Sequence, residues 1–151
     1  MKKFRYTLDH VLDYKVQILD NLQNEHAVIL SKVHRKQEEI TCLNHTLDDF
    51  EQNFNHTKSK GAAIEQFRLC DMCIGRMEEI IHLEQHKLKD LKEKEEGKKE
   101  EVISAKVDTS KFEHLKKQKH QEYKKAQQKE EEAFVEEFVS RVMIRERCQS
   151  R

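Results

Sequence analysis

Proline and tryptophan are absent from this chain of 151 residues, and glycine occurs only 3 times. Average usage would place roughly seven prolines and roughly ten glycines in such a length. Proline breaks helix interiors and both residues punctuate loops, so their scarcity excludes turn-rich architectures such as barrels and nucleotide-binding α/β domains. A surplus of charge of one sign is missing too. The 29 basic and 29 acidic side chains cancel, which argues against a dedicated nucleic-acid binder. The longest apolar run, Ala27 to Leu30, falls far short of the roughly 20 residues that a membrane span needs. Lys2, Lys3 and Arg5 are followed by no apolar segment, so no secretory signal is expected. The four cysteines, Cys42, Cys70, Cys73 and Cys148, do not resemble a secreted disulfide framework, and a cytoplasmic chain with reduced thiols is expected.

What the chain has is charge and periodicity. With 38% charged and 36% hydrophobic residues, composition alone would also suit a disordered segment, so the pattern has to decide. Steps of three and four visit Leu8, Val11, Lys15, Ile18, Leu22, His26, Ile29, Val33, Lys36, Ile40, Leu43, Leu47, Phe50 and Phe54. Only Lys15, His26 and Lys36 interrupt this apolar row, whose spacing of about 3.5 is that of a coiled coil, with one stutter at Ile18, Leu22 and His26. A cluster of turn-formers from Asn53 to Gly61 follows. The row then resumes as Ala63, Phe67, Cys70, Ile74, Met77, Ile81, Glu84, Leu88 and Leu91. It continues more weakly through Glu95, Lys98, Val102, Ala105 and Thr109 to Phe112.

These rows predict an all-α fold: a long antiparallel two-helix coiled-coil hairpin with a C-terminal helical overhang, forming a single domain over 1–151. Helix 1 is expected over about 3–55, the turn over about 56–61 and helix 2 over about 62–148. A pivot near Ser59 would set Phe50 by Phe67, Leu47 by Cys70, Leu43 by Ile74, Ile40 by Met77 and Ile29 by Leu88. It would bring Leu22 to Glu95, Ile18 to Lys98 and Met1 to Lys116, leaving the rest of helix 2 as overhang. On that overhang Phe134 and Phe138 stand one helical turn apart, with Val135, Val139 and Val142 beside them. An amphipathic helix with apolar anchors and no partner in its own chain reads as a docking element for a groove.

Other constellations are less telling. Cys70 and Cys73 have the spacing of a zinc knuckle, but a structural zinc site takes four ligands and no second pair exists. His82 and His86 share a helix face without the glutamate that follows the first histidine in a metalloprotease. The acceptor pattern for glycosylation at Asn44 and Asn55 is empty without a signal peptide. Lys111 to Lys129 carries seven lysines against Glu113 and Glu122, followed at once by Glu130, Glu131 and Glu132; a solvated face is the plain reading, and steering toward an acidic partner the functional one. No cofactor and no metal site are expected, and no enzyme.

Residues along nearly the whole chain carry a family resemblance: Phe4-Arg5, Leu8, Val11-Leu12 and Lys15; Asp49-Phe50, Asn53-Phe54-Asn55 and Gly61; Met77, Glu79 and Ile80-Ile81; and Leu115-Lys116-Lys117, Tyr123, Glu130 to Glu132 and Glu137-Phe138-Val139-Ser140-Arg141. In length, turn position and ending the chain resembles the flagellar FliJ protein family, soluble stalk components of the flagellar type III export apparatus. The resemblance implies a non-enzymatic coiled coil that inserts its open end into the hexameric export ATPase, promotes its assembly and activity, and couples it to the export gate's membrane protein and to export chaperones. The ATPase contact would then involve Phe4, Leu8, Val11 and Leu12 with Phe134, Phe138, Val139, Arg141 and Val142. The gate contact would involve Glu39, Leu43, Thr46 and Phe50 with Cys73, Met77, Ile80 and Glu84. The implied location is cytoplasmic, peripheral to the plasma membrane at the flagellar base, and a monomer is expected when the chain is free. Rival readings are the equivalent stalk of a virulence injectisome, a self-associating coiled-coil scaffold, and a zinc protein built on Cys70, Cys73, His82 and His86.

Overall fold

The computed structural model describes residues 3–149. Its described residues form two helices, α1 over Asp9–Lys60 with 52 residues and α2 over Ile64–Gln149 with 86 residues. The fold is all-α, a helical hairpin in which the two helices pack against each other. Asp9 in the first turn of α1 and Lys58 and Lys60 in its last turn complement the helix dipole. Gly61 ends α1 with φ 76°, the left-handed conformation that a helix C-terminus needs and that a Cβ disfavours.

The reversal therefore lies at Gly61 to Ala63, later than the expected 56–61. The turn-forming side chains before it do not break the helix because they satisfy themselves locally. Thr57 Oγ1 donates to the Asn53 carbonyl at 2.8 Å and Ser59 Oγ to the His56 carbonyl at 2.7 Å, bonds that are compatible with a helical backbone. Only glycine remains to turn the chain.

Contacts divide the chain into two compact units to which both helices contribute, one of Leu19–Ser104 and one of Met1–Ile18 with Ala105–Arg151. In the first unit the helices run antiparallel from the turn. Phe54 and Phe67 meet edge to face with ring centroids 6.0 Å apart, Lys36 reaches Glu84 at 2.7 Å, and His26 reaches Glu95 at 2.6 Å. Val33, Ile40 and Ile81 form its buried core. The pairing differs from expectation by one helical turn: Phe67 meets Phe54 rather than Phe50, and Glu95 meets His26 rather than Leu22. The long Lys98 side chain reaches farther, to Glu25 at 3.0 Å, two turns from the expected Ile18. A later pivot moves every partner on α1 toward the turn.

In the second unit Tyr6 and Leu12 are buried, with Thr109 the least exposed of the buried residues at 4%. Thr109 Oγ1 donates to the Ala105 carbonyl at 2.9 Å and lies 3.5 Å from the Lys15 carbonyl across the pair. Tyr6 donates its hydroxyl to the Phe112 carbonyl at 3.2 Å, and Lys116 bridges to Asp9 at 2.6 Å. Met1, expected near Lys116, lies outside the described residues. Every position of the expected α2 row from Phe67 to Phe112 is covered, whereas the α1 row leaves Val11 and Phe50 exposed and buries Leu12 in place of Val11. A single covered stripe per helix is what two helices alone can bury.

Candidate functional site

Phe4 marks the end of the pairing. Its ring packs on His120 at 5.0 Å and on Tyr123 at 5.5 Å between centroids. Farther along α2 every side chain from 128 to 145 is exposed. Phe134 is 71% and Phe138 62% exposed, and Val135, Val139, Val142, Met143 and Ile144 are also exposed. The i,i+4 spacing of the two phenylalanines puts their rings on one face. Arg141 pairs with Glu137 one turn away on the same helix, an exposed pair of little energetic weight. The apolar row of this segment finds no cover among the described residues.

The four N-terminal residues expected to share this role divide. Leu12 is buried, Phe4 and Leu8 are half-buried, and Val11 alone is exposed. Phe4 and Leu12 form the floor of an open groove of about 670 Å³ whose α2 wall includes Glu113, Lys117, His120 and Lys124. So the N-terminal aromatic and aliphatic groups mainly anchor α1 to α2 and shape the groove.

The residues expected to face an export gate lie in the Leu19–Ser104 unit and are split between surface and seam. Glu39, Phe50, Cys73 and Ile80 are exposed, while Leu43, Thr46, Met77 and Glu84 are half-buried. Thr46 spends its hydroxyl on the Cys42 carbonyl at 3.0 Å. Glu84 sits in the seam, taking Lys36 at 2.7 Å and Lys87 at 2.6 Å. These ammonium groups, Lys36 first, hold the Glu84 carboxyl below its ordinary value. Lys36 in turn is held above its own by Glu39 first and then Glu84. The exposed apolar residues here instead follow an outer row on α2, with Leu69, Met72, Ile80 and Leu83 exposed. The sequence does carry that row, at steps of three and four through Arg76, beside the stronger core row that masks it.

Cys42 and Cys73 are exposed free thiols and Cys70 is half-buried; the Cys148 side chain lies outside the described residues. His82 and His86 stack edge to face at 4.6 Å. Among the described residues no group of three or more His, Cys, Asp or Glu side chains could hold a metal ion. No described helix is long and apolar enough to cross a membrane.

A family model described as flagellar FliJ protein matches residues 4–147, nearly the whole chain. The chain belongs to the flagellar FliJ protein family. It is thus a flagellar export-related protein, and the family is a non-catalytic export component. Comparison with curated proteins and with solved structures returned no match.

Proposed function

We propose that this FliJ family member acts as a non-enzymatic stalk that docks into the hexameric flagellar export ATPase through the end of α2. It promotes assembly and activity of the ATPase and couples it to the export gate and to export chaperones at the cytoplasmic face of the membrane. The observation that carries this reading is the bare apolar face of Phe134, Phe138, Val139 and Val142 on a helix with no cover from the described chain. Arg141 adds a charged fork at its rim, and Val11 adds an exposed apolar group on α1. A single asymmetric subunit inside a ring of six meets the ring's subunits unequally, so it biases their nucleotide states by differential binding.

Binding of the purified chain to the ATPase tests the proposal. Replacing Phe134 and Phe138 with Ala should weaken binding roughly tenfold or more while far-UV helicity stays the same, since buried aromatic anchors dominate such interfaces. Unchanged affinity would sink the docking reading. The gate contact is assigned to the outer row of α2, where Leu69, Met72 and Leu83 join the expected Cys73 and Ile80. Half-buried Met77 and Glu84 support that contact from behind, as part of the seam.

A further inference from the structure

The exposed end of α2 and the groove beside it share one repeat. Glu113, Lys117, His120 and Lys124, which line the groove, follow one another at steps of four, three and four. Gln127 continues the series after three, and Glu131, Phe134, Phe138 and Arg141 extend it at steps of four, three, four and three. All nine positions therefore fall on one face of a coiled-coil helix. The first four flank an apolar floor made by Phe4 and Leu12. The last four are exposed with no cover among the described residues.

Turned end for end about Gln127, this face is complementary to itself. Lys124 then meets Glu131 of a second copy, and Glu113 meets its Arg141. Phe134 and Phe138 of the second copy fall opposite His120 and Lys117, over the Phe4 and Leu12 floor. Within one chain the two halves cannot meet, because both stand on the same continuous helix. Of the lysines that line the groove, Lys116 is bonded to Asp9, whereas Glu113, Lys117 and Lys124 hold no ion pair among the described residues. On the other half Glu131 takes the Gln127 amide at 3.1 Å and Arg141 an exposed pair with Glu137, both weak surface bonds that a second copy can replace. Acid beside aromatic at one end and lysine beside an apolar floor at the other is the charge complementarity that a twofold contact requires.

We infer that the free chain forms an antiparallel twofold dimer through this face, with the α2 end of each copy lying in the groove of the other. This departs from the monomer expected of a free stalk. The contact would cover Phe134 and Phe138, which are exposed in the single chain. Its competition with the ATPase rests on the docking reading above; the dimer itself does not.

Sedimentation velocity of the full-length chain over a concentration series is the test. The wild type should show a monomer–dimer equilibrium that weakens as salt rises. Lys124→Glu alone and Glu131→Lys alone each create two like-charge contacts across the twofold, and each should weaken the dimer roughly tenfold or more. The double variant K124E/E131K restores opposite charges and should return the dimer toward wild-type affinity. An equimolar mixture of the two single variants should do the same by pairing unlike chains. Far-UV circular dichroism confirms that the helices persist in each variant. A wild type that remains monomeric at its highest soluble concentration overturns the inference. So does a dimer that ignores the single substitutions, which would lie on another surface such as the outer row of α2, or a double variant no better than its parents. None of these readouts involves the ATPase, so failure here is separable from failure of the docking proposal.

Discussion

Lys36 of α1 and Glu84 of α2 meet at 2.7 Å, each at a position where its own helix interrupts its apolar row. The same coincidence recurs where His26 meets Glu95 at 2.6 Å. Two further interruptions, Lys15 and Lys98, find partners just beside the opposite row, Asp108 at 3.6 Å and Glu25 at 3.0 Å. The apolar residues alone would pair almost as well one turn away, with Leu43 by Ile74 and Ile40 by Met77. Polar groups at core positions cannot tolerate that ambiguity, because a slipped register would cover them against aliphatic partners. The polar interruptions choose the register.

Reversing one member of the pair should therefore cost stability and reversing both should recover it. Lys36→Glu places a further carboxylate beside Glu39 and Glu84, and its thermal midpoint should fall by several degrees. Adding Glu84→Lys should restore most of the loss. Melting followed by circular dichroism at low and moderate salt reads this out. Equal midpoints for the single and double variants would mean that the pair does not set the register.

This register is also where reading the chain alone stopped short. The covered row of α2 from Phe67 to Phe112 was legible residue by residue, because its period of about 3.5 has a single physical source. The unpaired end was legible too, since a lone helix follows wherever one arm of a hairpin is longer. The pivot was not. Asn53 to Ser59 carry strong turn chemistry, and composition does not show that Thr57 and Ser59 bond back to the Asn53 and His56 carbonyls. Matching the interruptions, Lys36 with Glu84 and His26 with Glu95, would have found the frame that apolar matching missed. The exposed outer row of Leu69, Met72, Ile80 and Leu83 was obscured for a similar reason: the core row through Met77 and Glu84 runs beside it and is the louder signal.

Buried and exposed aliphatic side chains on the same hairpin should separate cleanly in stability. Ile40 and Ile81 are among the few buried apolar residues, and Ile→Ala at either should cost about 2–4 kcal/mol through lost transfer energy and residual cavity. Leu69, exposed on the outer row, should change stability by only about 0.5 kcal/mol when replaced with Ala. Urea unfolding compares them directly. A comparable loss at Leu69 would show that the outer row is covered in the free protein.

The charge pairs give stability two limits in pH. Lys36 first and Lys87 second hold the Glu84 carboxyl below its ordinary 4.5. Lys111 first, with Lys15, holds the Asp108 carboxyl below 3.8. A carboxyl with a lowered folded pKa binds its proton more weakly than in the unfolded chain. Its stabilisation is therefore complete above those ordinary values and lost as pH falls through the folded ones. Lys36 and Lys116 are held above 10.5, by Glu39 and Asp9 first. Their contribution is complete below that value and lost as pH rises through the raised one. Thermal midpoints should form a plateau between about 4.5 and 10.5 with a fall at either side. Glu84→Gln should lower the plateau and shrink the acid fall, and an acid fall of wild-type size in that variant would remove Glu84 from the account.

Alanine at the glycines should divide them by sign. Gly75 lies within α2 in ordinary helical conformation, and a Cβ built there meets nothing within 4 Å. Gly75→Ala should accordingly raise stability by about 1 kcal/mol, the helix-propensity difference between the two residues. Gly61 has equal space around it but stands at φ 76°. Gly61→Ala should destabilise by about 1 kcal/mol, since a left-handed residue carries a Cβ penalty that open space does not relieve. Chemical denaturation of both variants checks the pair. Gly75 also lies one turn from Met72 on the outer row assigned to the export gate. The stabilised Gly75→Ala chain therefore separates two reasons for a glycine there. Gate binding that weakens as the free fold grows more stable would mark Gly75 as a notch for close approach, whereas unchanged binding would leave it a defect that the fold tolerates.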